Sequence, residues 1–242
     1  MLLRTLGPAT GARTALICLP HAGGSASAYF RFAQQLDGAA EVIGVQYPGH
    51  GDHLAEAPYT DLLALVRVIC DALPSGRRFA LIGLSFGALV GFEVARELRR
   101  RGAPEPAFLV LGGRAAPQLP SAASRLHDLP PDRFIDGVIA LYGDSDGLLR
   151  DPDIADLVLP SLRADIHAAA DWVYRDEPPL AAPLLAFAGV DDPEMTPAAL
   201  SAWRDQTRGP FTEAVLPGGH FAFSDGAPEL ARMILRQFAM LL

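Results

Sequence analysis

The chain has 242 residues, of which half are apolar and a fifth are charged, and its net charge is −8. This composition indicates a globular protein, large enough for one large α/β domain or two small ones, and argues against disorder. The acidic balance argues against nonspecific nucleic-acid binding, and no apolar run approaches the roughly 20 residues that span a bilayer. The N-terminus does not resemble a signal peptide, and Cys18 and Cys70 lie in apolar surroundings, so we expect a cytoplasmic protein without a membrane partner.

The predicted elements alternate along the chain. Apolar runs predict strands at 14–19, 42–46, 79–84, 107–111, 184–188 and 212–216. Between them, apolar residues at three- and four-residue steps predict helices, as over 60–73 and 88–98. Strands that are apolar throughout indicate an α/β fold with a mostly parallel sheet flanked by helices.

This alternation breaks between Pro117 and Pro183, where prolines separate helical segments and no convincing strand is found. Helices inserted between two strands of such a sheet lie over the carboxyl ends of the strands, where these folds bind ligands. We therefore predict an α/β core over 1–118 and 182–242 and a helical lid insertion over 119–181. The alternative is a set of surface helices with no gating role.

The pattern Gly83-Leu84-Ser85-Phe86-Gly87 separates a predicted strand from a predicted helix. A serine on a sharp strand-to-helix turn exposes its hydroxyl, and flanking glycines avoid collisions where the backbone folds back. The same turn brings the backbone N–H of Phe86 to the place where an oxyanion would develop. The pattern predicts that Ser85 is a nucleophile, with a serine that merely caps the helix as the alternative.

A serine nucleophile needs a histidine base and an acid that orients it, and in this fold both follow the serine, the acid first. The turn after the strand at 184–188 contains Asp191 and Asp192, and of six histidines only His220 lies beyond it. We therefore predict His220 as the base. Asp192 is favoured over Asp191 as the acid, because it precedes Pro193 and only one of two neighbours can face the histidine.

A second oxyanion donor is expected from the glycine-containing loop at 19–25, most simply the backbone N–H of Ala22. His21 in this loop precedes the serine and is expected to shape the loop. His50, Asp52 and His53 have a spacing that can bind zinc, but no further ligands cluster nearby, so we expect a turn and no metal.

Five motifs in this order resemble those of the type II thioesterases, stand-alone α/β-hydrolases of polyketide synthase and nonribosomal peptide synthetase pathways. The motifs are LPHAGG at 19–24, QYPGHGD at 46–52, the serine turn at 83–87, GVDDP at 189–193 and GGHF at 218–221. The resemblance covers nearly the whole chain and implies an α/β-hydrolase fold with a helical lid. It implies hydrolysis of the thioester between an acyl group and the phosphopantetheine of an acyl or peptidyl carrier protein, which edits stalled or aberrant intermediates.

The resemblance carries the roles over to single residues: Ser85 is the nucleophile, Asp192 the acid and His220 the base, and Ala22 and Phe86 form the oxyanion hole. The chain departs from the family at Leu84, often histidine there, and at Phe86, often methionine. We expect Leu84 to change packing only, and Phe86 to narrow the acyl pocket.

No cofactor is expected, and we expect the protein to act as a monomer. Three other functions stay open at this point: a general carboxylesterase, an acyltransferase that uses the same acyl-enzyme, and a non-catalytic binding protein with a hydrolase fold. The last of these need not keep a complete set of triad residues, whereas this chain has one.

Overall fold

The computed structural model describes residues 2–7, 14–36, 40–120, 126–144, 147–225 and 227–241, and in these the protein is built around a seven-stranded sheet. The strands are β1 Leu3–Thr5, β2 Thr14–Leu19, β3 Glu41–Val45, β4 Arg78–Leu84, β5 Leu109–Gly112, β6 Leu184–Gly189 and β7 Phe211–Leu216. Their order in the sheet is β1-β3-β2-β4-β5-β6-β7. Only β1 pairs antiparallel, with β3, and all other neighbouring strands are parallel, in agreement with the predicted mostly parallel sheet.

All six predicted strands are present, with bounds that differ from the prediction by two residues or fewer. The sequence analysis does not predict β1. This strand has three residues at the sheet edge, and Arg4 and Thr5 are exposed, so it has neither the length nor the apolar character that identifies the others.

The sheet is covered on both faces, which explains why its inner strands are apolar throughout. In β2, Ala15, Ile17 and Leu19 join one buried cluster, and Leu16 and Cys18 join another on the opposite face. Cys70 belongs to the first cluster, so the sheet separates it from Cys18, and both cysteines are free.

The helices of the core divide between these two clusters, with α2 and α3 packing on one face and α1 and α8 on the other. Among the described residues no helix is long and apolar enough to cross a membrane. The core helices are α1 Phe30–Gln35, α2 Leu62–Ala72, α3 Phe86–Arg100, α6 Pro197–Ser201, α7 Ala222–Asp225 and α8 Ala227–Leu241.

Two further helices, α4 Pro131–Tyr142 and α5 Pro152–Asp171, lie between β5 and β6 in the chain. They share a small cluster of their own with Phe134, Val138 and Leu162. In the described part of this segment, the only strand-like pairing is an isolated bridge at Leu180. Residues 121–125 and 145–146 of the predicted lid fall outside the described residues.

Candidate active site

Ser85 lies at the tip of a sharp turn between β4 and α3. Its backbone has a φ of 56° and a ψ of −114°, and it is the one non-glycine residue with positive φ in the described part of the chain. A Cβ atom at Gly83 would lie 2.1 Å from the carbonyl oxygen of Gly87, and one at Gly87 would lie 2.0 Å from the carbonyl oxygen of Leu19. Glycine is therefore required on both sides of the turn, which is the geometry that exposes a nucleophile.

Asp192 and His220 meet beside this turn. The Oδ2 atom of Asp192 lies 3.0 Å from Nδ1 of His220, and both side chains are buried. The second carboxylate oxygen, Oδ1, accepts a hydrogen bond from the backbone N–H of Glu194 at 3.0 Å. Asp191 is exposed, so of the two aspartates the structure brings Asp192 to the histidine.

Close backbone packing holds the Asp192 turn against the His220 loop. A Cβ atom at Gly189 would lie 2.1 Å from the carbonyl oxygen of Gly219, so only glycine permits this approach. The N–H of Asp191 donates to the carbonyl of Gly218 at 3.0 Å. Because β6 and β7 are parallel neighbours, their carboxyl ends bring the acid and the histidine together.

The loop after β2 lies at the same end of the sheet. It turns back at His21, whose carbonyl accepts a hydrogen bond from the N–H of Gly24 at 2.9 Å. His21, Ala22 and Gly23 line a cavity that Ser85 and His220 also line. Phe86 is the first residue of α3, so its N–H has no acceptor within the helix, and Phe86 also lines this cavity.

The cavity has a volume of about 350 Å³, and the α4–α5 segment supplies most of its apolar wall. Such a site suits a small, mostly apolar ligand whose reacting group is fixed by a few polar groups. The segment contributes Val138, Leu149, Ile154, Val158, Leu162, Ile166, Ala169 and Ala170 to the wall.

Comparisons with known proteins agree on one family. The family model of the thioesterase domain matches residues 14–238. The chain is 34% identical to the gramicidin S biosynthesis protein GrsT of Aneurinibacillus migulanus, over 96% of this chain and 92% of that protein. It is 38% identical to the thioesterase PikA5 of Streptomyces venezuelae, over 96% of this chain and 83% of that protein. The chain belongs to the thioesterase family.

Solved structures agree with this assignment. The type II thioesterase BorB from the borrelidin biosynthetic cluster superposes with a TM-score of 0.88 at 33% identity, covering 98% of this chain and 97% of that chain. YbtT, a type II thioesterase from the yersiniabactin pathway, gives a TM-score of 0.86 at 30% identity, with 99% of each chain covered. The predicted type II thioesterase family, the α/β-hydrolase fold and the assignment as a hydrolase are thereby confirmed. The catalytic roles of single residues stay predictions.

His21 of the thioesterase is held in its neutral form. Burial, followed by repulsion from His220 and His50, lowers the pKa of His21 to about 4. Its ring packs edge-on against Phe221, with ring centroids 5.2 Å apart. This placement agrees with a residue that shapes the loop.

The polar residues of the cavity that are not predicted from the sequence include Tyr142 and Arg114. The ring of Tyr142 at the end of α4 lies 4.5 Å from that of His220, and burial raises its pKa to about 12. Arg114, just after β5, also lines the cavity, and burial lowers the pKa of its guanidinium. Both residues reach the site only through tertiary packing, so no local pattern identifies them.

The three residues whose spacing could bind zinc, His50, Asp52 and His53, each contact a different partner. His50 bonds to Asp165, Asp52 pairs with Arg4 at 3.1 Å, and His53 pairs with Glu56 at 3.1 Å.

Among the described residues, one other set, His127, His167 and Asp171, has its ligand atoms within 4.8 Å of one another. The two imidazole rings are stacked at 8° and 4.5 Å, so their ring planes do not meet at a shared metal position.

Proposed function

We propose that Ser85, His220 and Asp192 are a catalytic triad that hydrolyses acyl thioesters carried on phosphopantetheine. The observation that carries this proposal is the buried 3.0 Å contact between Asp192 and Nδ1 of His220, beside a cavity that also exposes Ser85. With Nδ1 bound to the carboxylate, Nε2 is the ring nitrogen that is free to accept the serine proton.

The reaction begins when the Ser85 oxygen attacks the thioester carbonyl and His220 takes its proton. The C–S bond then breaks, and the pantetheine sulfur leaves as a thiol with the proton from His220. Water adds to the acyl-serine ester with His220 again as the base, which releases the carboxylic acid and restores the Ser85 hydroxyl. The sequence of steps requires no electron transfer.

The negative oxygen of the tetrahedral intermediates is stabilised by the N–H groups of Ala22 and Phe86. Both residues line the cavity beside Ser85, and the start of α3 adds the positive end of the helix dipole. Loss of one such donor typically lowers the rate by about 10²- to 10³-fold.

The α4–α5 segment acts as the lid within residues 119–181, because its side chains form most of the apolar wall above Ser85. An apolar cavity of about 350 Å³ accepts the acyl group, while the carrier protein stays outside. The activity is the editing of stalled or aberrant acyl groups on acyl or peptidyl carrier proteins. The names of the relatives, which include a gramicidin S biosynthesis protein and a type II thioesterase of the yersiniabactin NRPS/PKS pathway, support this assignment.

Carrier docking is assigned to the lid, and not to the arginines at the end of α3. Those four arginines, Arg96, Arg99, Arg100 and Arg101, pair with Glu93, Glu97, Glu177 and Asp71. In the lid, Arg163 is occupied by the carbonyls of His127 and Leu129. Of the other lid arginines, Arg125 lies outside the described residues, and Arg133 and Arg150 are exposed and are the lid cations we assign to contact with an acidic carrier.

We place the enzyme in the cytoplasm as a monomer. The support for the compartment is the pair of free, buried cysteines on opposite faces of the sheet, which suits a reducing environment.

The test is the release of free acid from a panel of acyl-carrier proteins, compared with matched oxyesters of the same acyl groups. We expect rapid release from the carriers, poor turnover of oxyesters and loss of nearly all activity in Ser85→Ala. Ser201→Ala, which changes an exposed serine outside the cavity, is the matched control and should behave as the unaltered protein. Turnover of oxyesters alone would show a general esterase, and turnover of neither would point to acyl transfer or binding.

A further inference from the structure

A buried contact joins the lid to the loop that carries Ala22. Asp165 lies on α5, and its Oδ2 atom is 2.8 Å from Nε2 of His50 and 2.9 Å from the backbone N of Gly23. The side chains of His50 and Asp165 are 1% and 2% exposed, so both are almost completely removed from water.

The other side of the His50 ring is also fixed. Nδ1 lies 2.9 Å from the carbonyl oxygen of Pro48, which can only accept, so Nδ1 carries a hydrogen. The contact between Nε2 and Asp165 then requires one more proton, which the two side chains share. In agreement, the hydrogen bond and charge of Asp165 outweigh the effect of burial and raise the pKa of His50.

The backbone of His50 is held as firmly as its ring. Its carbonyl accepts a hydrogen bond from Nε2 of Gln46 at 2.7 Å, and Oε1 of Gln46 accepts from the N–H of Ala26 at 3.3 Å. His50 therefore gives Asp165 a rigid partner that belongs to the core of the enzyme.

The loop presses closely against α5 at the same place. Gly23 has a φ of 70°, and a Cβ atom there would lie 3.1 Å from Cβ of Leu162. The bond from Gly23 to Asp165 fixes the peptide that joins Ala22 to Gly23, and the bond from Gly24 to His21 closes the turn around it.

We propose that Asp165, held by His50, is a positioning residue that fixes the loop carrying the Ala22 N–H and thereby assembles the oxyanion hole. The inference rests on the proposed function, because it gives the Ala22 N–H its catalytic task. Since Asp165 belongs to α5, movement of this helix away from the core would break the bond to Gly23. The oxyanion hole is therefore complete only while the lid is docked.

The third partner of the His50–Asp165 pair is the backbone of the loop that carries Ala22. Here one carboxylate oxygen binds both the core imidazole and the N–H of Gly23, next to the proposed hole. Charge-assisted bonds of this kind are the stronger ones, and in a buried site they hold backbone geometry well.

The test compares Asp165→Ala, Asp165→Asn and the control Asp156→Ala, which removes an exposed carboxylate from the same helix. The assay follows hydrolysis of an acyl-carrier protein together with binding of an alkyl boronic acid, which forms an anionic tetrahedral adduct with the serine. For Asp165→Ala we expect kcat to fall about 10- to 100-fold with little change in KM, and boronate affinity to fall by a similar factor. Asp165→Asn keeps an acceptor for the Gly23 N–H but cannot share a proton with His50, so it should retain more of kcat than Asp165→Ala, and Asp156→Ala should match the unaltered enzyme.

Unchanged kcat and boronate affinity in a folded Asp165→Ala protein would overturn the proposal. The proposal would also be overturned if kcat fell as far in Asp165→Asn as in Asp165→Ala and the fall matched the decrease in the fraction of folded protein. That result would show that Asp165 has a structural role only. Should Asp165→Ala fail to fold, His50→Gln tests the same contact, and an undiminished kcat there would also overturn the proposal. The boronate measurement needs no carrier substrate, so failure of the carrier assay in the unaltered protein counts against the proposed function alone.

Discussion

The backbone of Ser85 occupies a region of φ and ψ that residues other than glycine rarely adopt. The surrounding contacts impose this conformation: the N–H of Ser85 donates to Gly112 at 2.8 Å, and its carbonyl accepts from Ala88 at 3.0 Å. At the scale of single residues, the site therefore depends on the strained backbone of Ser85, which its neighbours hold in place, and on the protonation state of its side chains. The protonation of His21 can be measured through its effect on stability.

We predict that His21 makes the protein less stable in acid. Burial, then His220 and His50, lowers its folded pKa to about 4 from an ordinary value of 6.5, so between these pH values the unfolded chain binds a proton that the folded chain does not. Stability therefore falls as the pH falls from 6.5 to 4, and His21 accounts for about 3 kcal/mol of this loss. His21→Gln removes this contribution, so urea unfolding across this range should show a correspondingly smaller decline.

The control is His167→Gln, which replaces a partly exposed histidine on α5. Its stability should decline with pH in parallel with the unaltered protein. A parallel decline in His21→Gln as well would show that His21 is not the group responsible.

At the scale of elements, the junction between β4 and α3 decides the position of Ser85, the proposed nucleophile. The strand ends and the helix begins within two residues, so backbone from both sides is packed without room for side chains. Leu84, which departs from the family pattern, packs in the cluster on the α1 and α8 side of the sheet. Its change of residue type is thus accommodated in the core, away from the cavity.

We predict that Gly83→Ala disrupts this junction. The new Cβ atom would lie 2.1 Å from the carbonyl oxygen of Gly87, and backbone cannot rotate away as a side chain can. The expected loss is at least about 3 kcal/mol in the free energy of unfolding, up to loss of folded protein, measured by urea denaturation. Gly7→Ala, where no atom lies within 4 Å of the new Cβ, should change stability little. Equal stabilities for the two variants would contradict the description of the junction.

At the scale of the whole molecule, the parallel order of the sheet collects the carboxyl ends of β2, β4, β6 and β7 at one edge. The loops after these strands carry Ala22, Ser85, Asp192 and His220, and the α4–α5 segment covers them. The cavity therefore lies between the core and the α4–α5 segment, and side chains of both set its size.

We predict that Ala170→Phe on α5 shortens the acyl chains that the enzyme accepts. Ala170 lines the cavity, so a phenyl ring there occupies part of the volume of about 350 Å³. The ratio of kcat/KM for an octanoyl carrier to that for an acetyl carrier should fall at least about tenfold, since one methylene is worth about 1 kcal/mol or more in an apolar pocket. Leu157→Phe, on the exposed side of the same helix, should leave the ratio unchanged. An unchanged ratio in Ala170→Phe would show that the acyl chain lies elsewhere.

The six strands β2 to β7, the serine turn and the candidate His220 could all be predicted from the amino-acid sequence alone. These features follow from local patterns. Apolar runs form strands, glycines mark a turn without room for side chains, and only one histidine follows the turn that contains Asp191 and Asp192. The edge strand β1 and the cavity residues Tyr142 and Arg114 were not predictable, because each depends on neighbours distant in the chain.

The choice between Asp191 and Asp192 could be predicted only in part from the sequence. Alternation and Pro193 favoured Asp192, and the packing of the turn against the His220 loop placed it beside the imidazole. The contact between Asp165 on α5 and His50, which lies 115 residues earlier, is visible only in the folded protein. No local sequence pattern predicts such a contact, because the partner that stabilises a buried carboxylate is brought to it by the folding of distant parts of the chain.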